Sequence, residues 1–183
     1  MANLKEIRIR IGSVSSTMQI TSAMKMVSAA KLKKAQDAIT AMRPYSDKLS
    51  ELMQSFSGTI GGGNKSYTEN RTLNKVLVVV ISSNRGLCGA FNANIAKEAL
   101  VFKSKEKFRD SQIDFLTIGK KINDTLSKTE TIIQNDSDVF EELNYENVGK
   151  IADELMDRFV SNDYDHIEII YNSFKNAATQ IIK

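Results

Sequence analysis

A heptad-like pattern of apolar residues runs without a register break from Leu4 to Phe56. The polar residues on this seam are Thr21, Lys25, Ser28 and Ser46. A seam of this length predicts a coiled-coil helix and not the surface helix of a globular domain. Such a helix would be roughly 80 Å long at 1.5 Å per residue, so it needs a partner helix. The predicted seam residues are Ile7, Ile11, Val14, Met18, Leu32, Ala35, Ile39, Met42, Leu49, Met53 and Phe56.

Near Met24 the apolar character spreads around the helix. Here the seam carries polar residues, and the apolar residues Ile20, Met24 and Val27 lie one position earlier, which rotates the stripe by about 100°. Met26 occupies another side. A helix that is apolar nearly all round is typically enclosed by other structure. An ordinary buried helix with methionine as gap filler is equally compatible with the pattern.

The same segment is strongly basic. Residues 1–36 hold seven basic side chains against one acid, Glu6, which gives +6 and leaves −3 for the remainder of a chain whose net charge is +3. Such a helix could bind nucleic acid, an anionic membrane or an acidic protein surface. The first aromatic residue is Tyr45, so no base-stacking groups accompany these charges. An acidic protein partner is therefore favoured, and a nucleic-acid-binding protein or coiled-coil adaptor stays as the alternative.

Three segments follow from the pattern: a long N-terminal coiled-coil helix at 1–57, a glycine-rich linker at 58–74 and an α/β domain at 75–183. Pro44 lies inside the helix but off its seam, so we expect a bend there, with a break as the competing interpretation. The linker holds four of the nine glycines, within 58–63, and polar residues follow them.

The α/β domain begins with a continuous β-branched run, Val76–Ile81, typical of a central strand buried on both faces. Further strands are predicted at 113–118, at 130–134 (weakly) and at 167–171, and helices at about 90–107, 120–127 and 147–160. This alternation predicts a Rossmann-like domain with a largely parallel sheet.

The first strand is followed by a turn that contains Arg85, Gly86, Cys88 and Gly89. Its glycines match neither a dinucleotide-binding fingerprint nor a Walker loop, so they indicate a tight structural turn, and no cofactor is expected. A small enzyme with an active site at this sheet edge remains a further alternative. The single Cys88 and single His166 can form neither an internal disulfide nor a His/Cys zinc site. No apolar run is long enough to span a membrane, and the N-terminus does not resemble a signal peptide.

Two stretches resemble the gamma subunit of the F-type ATP synthase. The first runs from Ile20 to Leu32 and is followed by Arg43-Pro44-Tyr45; the second runs from Val78 to Gly89. Both are specific, and the similarity extends over the whole chain. Without a transit peptide, the sequence resembles the bacterial form.

The resemblance implies a non-catalytic central rotor shaft. In that family the N-terminal helix pairs with a C-terminal helix inside a ring of alternating alpha and beta subunits. The Rossmann-like domain lies near the epsilon subunit and the membrane ring of c subunits. Rotation of the asymmetric shaft sets which beta site is open, loose or tight. The resemblance implies a peripheral location on the cytoplasmic side of the bacterial plasma membrane, with no nucleic acid among the partners.

The stretch that matches Met24 to Val27 lies, by this resemblance, where the shaft passes acidic lever loops of beta. We call the residues expected to face those loops the bearing surface. They are Ile20, Met24, Lys25, Met26, Val27, Lys31, Lys33 and Lys34.

Gamma subunits are about a hundred residues longer than this chain, and the additional part includes the C-terminal helix. The apolar stripe is therefore expected to lack a companion within these residues. We expect the isolated chain to self-associate through Leu4–Phe56 or to leave that helix partly unfolded, and full torque transmission by it is not expected.

Overall fold

A computed structural model describes residues 3–57, residue 67 and residues 71–183. The chain divides into two units, Met1–Gly63 and Asn64–Lys183. Most of the predicted linker, 58–74, lies outside the described residues. Its last residues belong to the second unit and are bonded within it. The Arg71 guanidinium donates to the Phe159 carbonyl oxygen at 2.6 Å, and the Asn74 amide donates to Asp165 Oδ2 at 2.9 Å.

The first unit contains one long helix, α1, Leu4–Ser57. Asn3 begins it, since its side-chain oxygen accepts the Lys5 amide at 3.2 Å and so satisfies one of the free N-terminal donors. The helix continues through Pro44, so the break considered at this proline is wrong, and the bend stays a prediction. Within this unit the described residues form no second helix, so pairing along the seam stays a prediction.

The second unit is built on a four-stranded, all-parallel sheet in the order β3-β2-β1-β4. The strands are β1 Lys75–Ile81, β2 Gln112–Ile118, β3 Ile132–Asn135 and β4 His166–Ile170. The helices are α2 Phe91–Lys103, α3 Lys120–Leu126 and α4 Tyr145–Val160. An antiparallel hairpin of β5 Asn172–Asn176 and β6 Thr179–Ile182 follows β4. The predicted α/β class with a largely parallel sheet is confirmed.

The sheet is covered on both faces, as the run Val76–Ile81 predicted. Val76, Val78 and Val80 face a core formed with α2 and α3, which supply Ile95, Phe102, Ile122 and Leu126. Leu77 and Val79 face the other core, which includes Leu116 and Tyr164 and against which Ile151 and Leu155 of α4 pack. Burial on both faces explains why apolar and polar residues do not alternate along β1.

Several predicted boundaries need correction. The helix expected to reach residue 107 ends at Lys103, because Lys105 adopts an extended conformation before a short 3₁₀ turn, Glu106–Phe108. The helix predicted from 147 begins at Tyr145, because the Asn144 side chain caps it by accepting the Asn147 amide at 2.8 Å. The strand predicted at 130–134 is Ile132–Asn135, and that predicted at 167–171 is His166–Ile170. The β5–β6 hairpin was not predicted.

A buried polar pair joins β2 to the segment between α4 and β4. The Tyr164 hydroxyl donates to Asp114 Oδ2 at 3.1 Å, and both residues are buried. Burial, together with this hydrogen bond to the carboxylate, raises the pKa of Tyr164 to about 12. The neutral phenol is therefore favoured in the folded state.

Because of Tyr164, the stability of the fold is expected to fall at alkaline pH. Its contribution to stability is present below pH 10.0, the ordinary pKa of tyrosine, and is lost as pH rises through about 12. We expect Tyr164→Phe to cost about 1–3 kcal/mol at pH 8, because the buried Asp114 then keeps only the longer hydrogen bonds from Gln112 Nε2, at 3.3 and 3.5 Å. Between pH 10 and 12 the wild-type chain should lose more stability than the variant. Urea unfolding followed by circular dichroism at pH 8 and pH 11.5 measures both effects, and parallel losses in the two proteins would contradict the assignment.

Candidate functional site

The bearing surface exposes its apolar side chains to solvent. Ile20, Met24, Met26 and Val27 are between 57% and 67% exposed, although they lie on different sides of α1. Isolated exposed apolar residues are common, but a band that encircles a helix is not. Contact with another molecule would remove this surface from water, so the band has the character of an interface.

Four lysines lie on the same stretch of helix: Lys25, Lys31, Lys33 and Lys34 are all exposed. Among the described residues of the first unit, none of these lysines forms an ion pair with an acidic side chain. They therefore form a concentrated positive charge that an acidic partner surface would complement.

The predicted seam is also largely open to solvent. Met18, Met42 and Met53 are exposed, as are the other seam residues apart from Ile39, which is half-buried. The side chain of Phe56 lies outside the described residues. An apolar line of this length in water is consistent with a partner helix along α1, and that contact stays a prediction.

Hydroxyl groups next to the bearing surface are turned back onto the helix. Thr17 Oγ1 donates to the Ser13 carbonyl oxygen at 3.0 Å, and Thr21 Oγ1 donates to the Thr17 carbonyl oxygen at 2.8 Å. With their donors satisfied, these side chains can pack closely against a partner at little desolvation cost. Sequence reasoning treated Thr21 only as an interruption of the seam and missed this property.

The turn after β1 brings Arg85, Gly86, Cys88 and Gly89 together at the start of α2. Two side chains hold it from within: Ser83 Oγ donates to the Arg85 carbonyl oxygen at 2.6 Å, and Asn92 Nδ2 donates to the same oxygen at 3.1 Å. Gly89 has φ +61, a conformation that suits glycine, whereas Gly86 has no such requirement. Asn92 Nδ2 also donates to Cys88 Sγ at 3.2 Å. No feature of the sequence indicated that Asn92 holds this turn.

The β5–β6 hairpin lies beside this turn. Asn172 Nδ2 donates to the Phe91 carbonyl oxygen at 3.2 Å, and Ile182 packs against the core beneath α2. In a nucleotide-binding Rossmann domain the phosphate sits at the first turn of the corresponding helix. The hairpin therefore lies close to the place where a phosphate would bind in such a domain.

Within residues 3–57 and 71–183, together with Tyr67, no cluster of His, Cys, Asp or Glu could hold a metal ion. Over the same described residues, no helix is long and apolar enough to cross a bilayer.

Comparison with known proteins identifies the family. A family model described as ATP synthase matches residues 3–183. The chain is 62% identical over 184 residues to the ATP synthase gamma chain of Flavobacterium psychrophilum, covering 100% of this chain and 64% of the relative. It is 42% identical over 182 residues to that of Geobacter sp. (strain M21), covering 100% of this chain and 63% of the relative.

Solved structures show the same architecture. One chain of the structure of the Tetrahymena thermophila mitochondrial ATP synthase central stalk and c-ring matches with a TM-score of 0.64 and 25% identity. The match covers 90% of this chain and 70% of the Tetrahymena chain. The rotor of the Euglena gracilis mitochondrial ATP synthase matches with a TM-score of 0.55 at 19% identity, over 96% of this chain and 59% of that chain, and shows the fold alone.

A long exposed helix joined in sequence to a parallel-sheet domain is the architecture of an ATP synthase central-stalk subunit. The chain belongs to the ATP synthase gamma-chain family, which confirms the resemblance seen in its sequence. The gamma chain is a non-catalytic subunit of that complex. This chain spans 64% of the length of the Flavobacterium psychrophilum relative.

Proposed function

We propose that this chain acts as the central rotor-stalk subunit of an F-type ATP synthase. It would couple proton-driven rotation of the membrane ring to conformational change at the catalytic sites on the beta subunits. The observation that carries the proposal is the bearing surface: exposed apolar side chains around α1 with four lysines that lack ion pairs within the described residues.

The bearing surface would contact the alpha and beta subunits of the catalytic head. Fully burying a large apolar side chain contributes about 1.5–3 kcal/mol, whereas an exposed ion pair contributes about 0.2–1 kcal/mol. The four apolar residues would therefore supply most of the affinity, and the lysines would orient the helix against carboxylates. Binding should accordingly weaken only moderately with added salt.

The second unit would contact the epsilon subunit and the c-subunit ring, so the chain would be peripheral to the membrane on the cytoplasmic side in bacteria. In this arrangement α1 transmits torque along its axis and carries out no chemistry. Pairing of its seam with a second helix would stiffen it against twisting. We propose the domain division to be the helix 1–57, the linker 58–74 and the Rossmann-like domain 75–183.

Co-purification tests the proposal. The affinity-tagged chain is expressed in a bacterium depleted of its own gamma subunit and recovered from solubilised membranes. We expect alpha and beta subunits and ATP hydrolysis in the same fraction. Recovery of the tagged chain without those subunits would contradict the proposal, and steeply salt-dependent binding to duplex DNA would favour the nucleic-acid-binding alternative.

A further inference from the structure

The strand order of the second unit reverses between β1 and β4. After β1 the chain crosses by α2 to β2 on one side, whereas α4 packs on the opposite face of the sheet and leads to β4 on the other side. In open α/β sheets, ligands bind outside the carboxyl ends of the strands at such a switch point. A cavity of about 640 Å³ lies there, lined by Ile81 and Ser82 at the end of β1 and by Tyr171 and Asn172, which follow β4. Its volume suits a small molecule.

Three aromatic side chains from separate segments line this cavity. Phe91 begins α2, Phe140 ends the 3₁₀ turn Ser137–Phe140, and Tyr171 follows β4. Phe140 is 39% exposed and Tyr171 is 38% exposed, and Phe91 is half-buried. Among the described residues, none of the three stacks on another aromatic ring. A planar ring in the cavity would pack against them and remove their remaining surface from water.

The polar side chains in the walls of the cavity are bonded within the protein. Asn84 Oδ1 accepts the Lys120 amide at 2.9 Å, and Asn84 Nδ2 donates to the Ser137 carbonyl oxygen at 3.0 Å. Ser83 Oγ donates to the Arg85 carbonyl oxygen at 2.6 Å. These bonds fix the walls before a ligand binds, which lowers the entropy lost on binding.

Two side chains of opposite charge, Arg85 and Glu141, line the cavity without pairing with each other. The described residues give Arg85 no ion-pair partner. Glu141 lies 3.9 Å from Lys120, which also approaches Asp138 at 3.7 Å. An exposed ion pair at that distance contributes little, so the Glu141 carboxylate can accept another cation. A ligand with one carboxylate and one ammonium group complements both charges.

We propose that this cavity binds a small aromatic zwitterion of the amino-acid type. Its carboxylate pairs with Arg85 and its ammonium group with Glu141. Its ring packs among Phe91, Phe140 and Tyr171. A nucleotide fits less well, because its phosphate charges would face one arginine and one glutamate. The inference goes beyond the proposed rotor-stalk function and does not rest on it.

Titration of the 183-residue chain with L-phenylalanine tests the site, with isothermal titration calorimetry at neutral pH as the measurement. A well-fitted ligand of this size is expected to bind with a Kd of about 1 mM. Phenylacetate lacks the ammonium group and phenethylamine lacks the carboxylate, so each should bind about fivefold more weakly. L-alanine, which has no ring, should give no measurable binding.

Two variants assign the charged contacts separately. Arg85→Gln should weaken L-phenylalanine binding about fivefold and leave phenethylamine binding unchanged, because phenethylamine has no carboxylate. Glu141→Gln should weaken L-phenylalanine binding by a similar factor and leave phenylacetate binding unchanged. Arg109→Gln, at an exposed arginine that does not line the cavity, is the matched control and should bind like the wild type. Circular dichroism checks that each variant is folded.

Three outcomes would overturn the proposal. The first is no heat of binding at an L-phenylalanine concentration roughly ten times the expected Kd. The second is equal affinity for L-phenylalanine, phenylacetate and phenethylamine, because the two charges would then play no part. The third is an equal loss of affinity in Arg85→Gln and Arg109→Gln. Each outcome leaves the rotor-stalk proposal standing, because co-purification with alpha and beta subunits tests that proposal separately.

Discussion

Replacing Gly119 with alanine is expected to destabilise the second unit by roughly 3–5 kcal/mol. Gly119 has φ +126, which an L side chain rarely adopts. An added Cβ would lie 2.5 Å from Ser82 Oγ, 2.6 Å from the Ser82 carbonyl oxygen and 2.8 Å from the Ser82 carbonyl carbon. Two of these atoms belong to the backbone, so a rotamer change cannot relieve the contact.

Movement of Ser82 would break further bonds. Its amide donates to the Ile118 carbonyl oxygen at 2.8 Å, and its Oγ accepts the Ile122 amide at 3.1 Å. Gly119 itself donates its amide to Ser137 Oγ at 3.1 Å. These bonds join the carboxyl ends of β1 and β2 to each other, to α3 and to the 3₁₀ turn Ser137–Phe140, so the strain would reach the centre of the sheet.

Gly149→Ala is the matched control for Gly119→Ala. Gly149 lies inside α4 with no atom within 4 Å of its added Cβ, so alanine there should stabilise the chain by up to about 1 kcal/mol. Urea unfolding of both variants measures the difference. A change of less than 1 kcal/mol in Gly119→Ala, or equal losses in the two variants, would contradict this role of Gly119.

Reversing four charges on the bearing surface is expected to have the largest effect on assembly. Glutamate at Lys25, Lys31, Lys33 and Lys34 would replace attraction to an acidic partner with repulsion. At up to about 1 kcal/mol for each reversed pair, binding to the catalytic head should weaken by as much as roughly 1,000-fold. The measurement is the amount of chain that co-purifies with the ATP-hydrolysing complex, together with the fraction of hydrolysis coupled to proton transport.

The control for charge reversal must leave the fold intact. Lys103 and Lys105 are unsuitable because they pair with Glu130 at 2.7 Å and Glu98 at 3.6 Å. Exposed lysines without an ion pair to any described residue are better controls: Lys97, Lys128 and Lys175. Equal losses of assembly after charge reversal in both sets would remove the electrostatic part of the proposal.

The long helix and the central strand could be predicted because each has a regular pattern with one physical cause. The seam from Leu4 keeps its spacing through Pro44, so the helix α1 ends within two residues of the prediction. The run Val76–Ile81 is apolar throughout because both faces of β1 are buried. Strand order depends on contacts between distant segments, which local periodicity does not contain.

The hairpin and the turn could not be predicted because their structure depends on individual polar side chains. β5 is mostly polar, and its connection to β6 contains neither glycine nor proline. Asn176 shapes it instead, since its Oδ1 accepts the amides of Ala178 and Thr179 at 3.0 and 2.8 Å. Similarly, Asn92 holds the turn after β1 from the first turn of α2, where an asparagine would ordinarily be read as a solvent-facing residue.

Oxidation of Met24 and Met26 by hydroxyl radicals tests the rotor-stalk proposal most directly. Both side chains are exposed in the chain by itself, so they should be oxidised readily there. In purified ATP synthase during ATP hydrolysis, with the urea-denatured complex as the reference for full reactivity, we expect at least roughly tenfold slower oxidation of both residues. Oxidation in the working complex at the rate of the free chain would show that this part of α1 stays in water and would contradict the proposal.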